Sequence, residues 1–313
     1  MTPRFATAGR PGAGIALVLA AVCCFAGMDT LVKLLGTGVP VLAMLWVRYA
    51  FQAVAMGVWL VLAPSPGFAT AHPRFQAMRG ALLLGSSTAA FYALQYLPVA
   101  EFTAINMLAP VMVTLLAAWL LREPVSRLRW ALVAGGCLGA LIVIRPGGAI
   151  FGWAVLLPVI GSCCYASFQL LTSKLSALES PYTTHFYTGA TGTVVLTALL
   201  LVGRVDLPGL LAGASTESLA LLLAVGLLGT VGHLLLILAL GMAPTSTLMP
   251  FLYAQIVAAS VLGWIAFRQL PDAWAWLGMA LLAACGAASA WLNVREAAPR
   301  RQPSVVEADT VAD

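Results

Sequence analysis

Asp29, Lys33 and Arg48 are ionisable residues set inside long apolar runs, where an isolated charge costs at least about 2.5–3.5 kcal/mol. Charges persist at such depth where they pair, or where they serve the passage of ions or solutes. Asp29 falls about two-thirds along its run and Arg48 about a third into the next, so both lie roughly 10 Å from their shared connection. An Asp29–Arg48 ion pair is therefore feasible. Lys33, four residues from Asp29 on the same helix face, is placed to compete for the carboxylate. Two readings stand: Asp29 as the titrating group of a substrate or proton site, or an ion pair that fixes helix registry while Lys33 snorkels outward.

A second set is polar and uncharged. Tyr92 and Gln95 are three residues apart, Tyr165 and Gln169 four apart, so each pair makes a local polar face. Asn106, His233, Tyr253 and Gln255 lie within other apolar runs. An aromatic ring beside an amide suits a planar or amino-bearing metabolite. Interhelical hydrogen bonding is the alternative for each residue alone; taken together, they predict a polar cavity. His185 and His233 have no carboxylate nearby in sequence and read as satisfied structural histidines. H-E-x-x-H, G-x-S-x-G, paired deep carboxylates and the G-x-x-x-x-G-K-[ST] phosphate loop are all missing. No catalytic residue, metal, cofactor or ATP hydrolysis is therefore expected, and the six cysteines read as packing residues in apolar runs.

The elements that position these residues are long and apolar. With 61% hydrophobic and 9% charged residues, the chain departs from soluble proteins, where about a quarter of residues are charged. Ten runs are long enough to span a bilayer, near 14–35, 40–63, 79–97, 102–121, 128–145, 152–174, 183–203, 217–239, 246–267 and 274–293. Residues 1–12 and 295–313 read as cytoplasmic tails, the second of them disordered. With the N-terminus inside, Arg4, Arg10, Arg74, Arg79, Arg122, Arg127, Arg129, Lys174, Arg295, Arg300 and Arg301 fall on the inner side, against Arg145, Arg204 and Arg268 outside. This bias places both termini in the cytoplasm. The net charge of +5 thus reports topology and not a nucleic-acid partner. Gly135 and Gly139, and Gly226, Gly229 and Gly232, are spaced for close helix contact; Pro110 and Pro158 are expected to kink their spans or to loosen backbone carbonyls that face a cavity.

The chain also repeats itself. Residues 119–130, WLLREPVSRLRW, align with 265–276, IAFRQLPDAWAW, about 146 residues on, and Lys33–Pro40 has a counterpart in Lys174–Pro181. Five spans in each of two halves, 13–146 and 151–294, set the second copy upside down relative to the first. At the first-span offset Asp29 meets Leu170 and Arg48 meets Gly189, so the deep charges belong to one half.

The block LPVAEFTAINMLAPVMVTLLAAWLLREPVSRLRWALVAGGCLGALIVIRPG (97–147), the block FLYAQIVAASVLGWIAFRQLPDAW (251–274) and the region of Asp29, Lys33 and Arg48 together resemble the bacterial drug/metabolite transporter superfamily, EamA type. One departure is Gln269, where the family usually has an acidic residue; Glu123 keeps it in the first half. The resemblance implies an all-α integral membrane protein of ten transmembrane helices, built as two inverted five-helix repeats around a cavity. Spans one, three, four, six, eight and nine would line that cavity, placing Tyr92, Gln95, Asn106, Tyr165, Gln169, His233, Tyr253 and Gln255 on it. It further implies a secondary transporter of the inner membrane, moving a small organic metabolite such as an amino acid or amine by alternating access. Export is the expected direction and proton coupling through Asp29 is open. The alternative is an importer of a vitamin-like or nucleotide-derived solute such as a flavin. An integral-membrane enzyme, the alternative of another class, would need clustered acidic or histidine residues at one interface, and the sequence has none.

Overall fold

The computed structural model describes residues 11–63, 67–109, 111–112, 116, 126–145, 152–176, 178–242 and 245–297. Pro110, Glu123 and the terminal residues 1–10 and 298–313 lie outside these. Every regular element among the described residues is helical: α1 (Pro11–Leu35), α2 (Val41–Leu62), α3 (Pro73–Tyr96), α4 (Val99–Asn106), α5 (Arg127–Ile144), α6 (Leu156–Ser176), α7 (Pro181–Val202), α8 (Leu207–Gly213), α9 (Thr216–Met242), α10 (Thr245–Leu252), α11 (Ala254–Phe267) and α12 (Ala273–Ala297).

Prolines and short polar side chains start these helices. Pro73 and Pro181 stand in the first turns of α3 and α7, where no donor is needed. Ser126 accepts from the Arg129 amide to cap α5, and Asp272 accepts from Ala275 at the start of α12. Arginines mark several ends. Arg145 and Arg268 close α5 and α11, and Arg204 follows α7, all with left-handed backbones (φ 45°, 55° and 51°). These are the three arginines that the charge bias assigns to the minority side, and each sits where a helix C-terminus favours a cation.

Among the described residues, seven segments are long and apolar enough to cross a membrane: Gly12–Leu35, Val41–Leu62, Arg127–Ile144, Trp153–Thr172, Pro181–Val202, Thr216–Ala239 and Pro250–Phe267. The sequence reading has ten. The helix α3 is long enough, but Gln76, Arg79, Ser86, Ser87 and Gln95 make it too polar to read as a lipid-facing span. The helix α4 ends at Asn106, next to residues that are only partly described, and α12 runs 25 residues, Ala273–Ala297. Pro158 is the third residue of α6, where it removes no intrahelical bond. The ninth run is broken into α10 and α11 at Tyr253, just after Pro250.

Helix pairing crosses between the halves. The principal partners are α1 with α9, α3 with α6, α2 with α7, and α5 with α12; α2 also meets α9, α3 meets α7, α1 meets α11 and α4 meets α6. Exchanging α1–α5 for α6, α7, α9, α10–α11 and α12 turns this set of pairs into itself. Glycines permit the closest crossings, as their spacing predicted. A Cβ on Gly278 of α12 would lie 2.6 Å from the Gly139 carbonyl of α5, and one on Gly226 would lie 2.8 Å from Phe51 of α2.

Candidate functional site

Arg48 is carried by α2 into the crossing of α1, α3 and α9, and is 1% exposed. Its Nη1 donates to Ser87 Oγ of α3 at 2.8 Å, and the Tyr49 hydroxyl shares that serine at 3.0 Å. The guanidinium lies over the rings of Tyr49 (4.8 Å) and Phe91 (5.8 Å). Its Nε packs against Gly229, where a Cβ would lie 2.8 Å away, and has no hydrogen-bond acceptor among the described residues. The glycine spacing on α9 therefore makes room for a cation as well as for helix packing.

Asp29 is buried, and Oδ2 accepts from Gln255 Nε2 of α11 at 3.4 Å. The feasible Asp29–Arg48 ion pair is thus not made at bonding distance among the described residues, although Asp29 lies in the field of Arg48. Lys33 does not compete for the carboxylate either. Its Nζ donates to the carbonyls of Leu94 (3.3 Å) and Leu97 (2.7 Å) at the end of α3, and stands 5.7 Å from the Phe267 ring centre. Unfilled helix-end carbonyls are strong acceptors for a cation, which explains why Lys33 reaches along the protein and not back to Asp29.

Arg79 is the residue that sequence reasoning missed. Counted there as an inner-side charge, it is 1% exposed between α3, α6 and α7. Its Nε donates to Thr172 Oγ1 at 2.7 Å, and Nη1 donates to the Thr184 carbonyl at 3.1 Å and to Thr188 Oγ1 at 2.6 Å. The Phe168 ring lies beneath it at 4.6 Å. Thr172 and Thr188 give their own hydroxyl hydrogens to carbonyls one turn back, leaving lone pairs for the arginine; the Thr184 hydroxyl does the same and accepts from Gln76 Nε2 at 3.2 Å. A usable signal was Thr184–Thr188, a polar pair at helical spacing in an apolar run.

Between the arginines lie two histidines. Gln52 Nε2 donates to the His185 carbonyl (2.9 Å) and faces Nδ1 (3.2 Å), so Nδ1 accepts and Nε2–H donates to the Thr230 carbonyl (3.2 Å). His233 Nδ1 donates to the Gly229 carbonyl at 2.9 Å, with its ring 4.7 Å from Phe25 and 6.3 Å from His185. Both bond within the protein, as their sequence setting implied.

The remaining expected residues divide. Tyr165 stacks on Phe168 at 5.7 Å and lies in the field of both Arg79 and Arg48, with Gln169 one turn on. Asn106 ends α4, and its carbonyl accepts from Ser162 of α6 at 3.1 Å. Asp29, Arg48, Tyr165, His233 and Gln255 thus share one electrostatic neighbourhood. Gln95 instead donates to the Phe91 carbonyl of its own helix at 3.2 Å, and Tyr92 is 37% exposed. Tyr253 is buried against Gly286 of α12 and contributes to packing at the helix break, not to the Arg48 neighbourhood.

The two ends of the bundle are closed by different links. At one end Arg145 pairs with Asp272, whose carboxyl is held below the ordinary range chiefly by the Ala275 amide and also by Arg145. At the other end Glu179, between α6 and α7, straps down the α2–α3 connection. Its Oε1 accepts from Thr70 Oγ1 (2.7 Å), the amides of Ala71 (2.9 Å) and His72 (3.2 Å), and His72 Nδ1 (3.2 Å). Burial alone would raise this carboxyl, but the hydrogen bonds outweigh it and hold Glu179 below the usual range.

Comparison with known proteins adds a family. The model of the EamA-like transporter family matches residues 12–145 and 152–289. A riboflavin transporter of Rhizobium johnstonii is 32% identical over 209 residues, 66% of each chain. An S-adenosylmethionine uptake transporter of Rickettsia bellii is 25% identical over 83% of this chain and 87% of its own. A crystal structure with 19% identity covers 91% of this chain and 99% of its own at a TM-score of 0.62, a likeness of fold.

Proposed function

The chain belongs to the EamA-like transporter family, and from that premise we propose that it is a secondary carrier moving a small polar organic metabolite across the inner membrane by alternating access. The observation that carries this reading is the buried cluster of Asp29, Arg48, His185, His233 and Gln255, contributed by helices of both halves at their crossing. Polar groups so deep in a bilayer mark a solute path. We read the chain as ten spans in two inverted repeats, with both termini cytoplasmic. The self-matching pairing of helices and the one-sided distribution of arginine and lysine support this. The two ends would then open in turn, the Glu179 strap closing one and the Arg145–Asp272 and Lys33 links the other. Proton coupling would run through Asp29.

Export was the expectation from sequence. Uptake, for which the Rickettsia bellii relative is named, is the alternative direction. Expression in strains that depend on externally supplied riboflavin or S-adenosylmethionine tests the direction. Growth at a lower external supply of one of the two compounds would show uptake; its faster loss into the medium would show export.

A further inference from the structure

We propose that Arg48 is the docking point for a carboxylate carried by the transported solute; this rests on the carrier reading and specifies its substrate class. A guanidinium has five N–H donors and stays charged in proteins. Arg79 engages three neutral acceptors through two of its nitrogens. Arg48, equally buried, engages one through Nη1, and its Nε has none among the described residues. That single acceptor, Ser87, is also shared with Tyr49. An under-solvated buried cation of this kind requires an account, and a carboxylate, which matches the guanidinium fork, supplies one.

The distribution of charge points to a single negative group. At one end of the bundle Lys33 and Arg145 are matched by Glu101 and Asp272, which act on one another electrostatically. The buried charges among the described residues are Glu101, held in that end group, and Asp29, Arg48 and Arg79. Outside that end group, two guanidiniums against one carboxylate leave one positive charge among the described interior residues. A monovalent carboxylate neutralises it; a phosphate dianion would overshoot. The rings of Tyr49 and Phe91 flank the cation, and Tyr165 lies in its field, so the group next to the carboxylate would meet aromatic surface. S-adenosylmethionine and free amino acids fit this chemistry. Riboflavin, which has no carboxylate, does not.

Purified protein in liposomes, loaded with S-adenosylmethionine and its decarboxylated form, tryptophan and tryptamine, and riboflavin, tests the assignment by mass spectrometry of the solutes that exchange. The expected result is that only carboxylate-bearing members move, with a preference of about 10- to 100-fold over the decarboxylated partner. Arg48→Gln should erase that preference, and Arg48→Lys should keep part of it. The comparison within each pair uses the unaltered protein, so it holds even if Arg48→Gln does not fold. Equal movement of the decarboxylated partner, or movement of riboflavin alone, would overturn the carboxylate assignment and leave the carrier reading standing. If none of the solutes moves, both are overturned for these compounds.

Discussion

Gly189→Val is expected to leave little folded protein in the membrane. A Cβ at Gly189 of α7 would lie 2.7 Å from the Ala53 amide nitrogen and 3.0 Å from the Ala53 Cα, both backbone atoms of α2. Backbone cannot rotate aside as a side chain can, so the two helices would have to separate. Overpacking of this kind costs about 1–3 kcal/mol, occasionally more. Helix association in a bilayer has little hydrophobic drive to offset it, since close packing is itself the driving force. The same α2 surface carries Gln52, which holds His185, so separation would also dismantle the polar cluster. Gly57→Ala is the control. Its Cβ would meet only the Phe186 ring, at 3.4 Å, and the variant should elute and melt like the parent in detergent. Equal recovery of Gly189→Val would contradict the close α2–α7 crossing.

Asp29→Asn is expected to cut gradient-driven transport by about 100-fold while leaving the folded yield unchanged. Asparagine keeps an oxygen for Gln255 Nε2, so the α1–α11 link survives. The charge is lost, however, and a charge at that depth is worth ~2.5–3.5 kcal/mol, roughly two decades in an equilibrium it controls. Uptake driven by an imposed pH gradient, compared with solute exchange at equal pH, separates the roles. Loss of the driven mode with exchange retained marks Asp29 as the coupling group. Unchanged transport at every pH would reduce it to a partner for Gln255.

Some of this was legible in the sequence, for physical reasons that differ by residue. Long apolar runs reveal helices because the bilayer demands them, and the repeated WLLREPVSRLRW and IAFRQLPDAWAW blocks revealed two matching halves. Buried partners were harder. Arg79 looks like an inner-side charge because it stands near the start of its run, and its partners are 93 to 109 residues further on. Lys33 binds backbone carbonyls, which leave no mark in side-chain identity. Gln255 could be listed as polar and buried, yet its pairing with Asp29 spans 226 residues. Tyr253 reads in the sequence as a polar group in an apolar run, yet nothing there shows that the space for its ring comes from Gly286.

The central claim is that the chain carries solute down a gradient by exposing one site to each side in turn, with no nucleotide consumed. Counterflow in liposomes tests it most directly. Vesicles loaded with unlabelled S-adenosylmethionine or tryptophan, without ATP, should transiently accumulate the labelled compound above its outside concentration, and the rate should saturate. Strict dependence on ATP, or equilibration that neither saturates nor overshoots, would contradict the account.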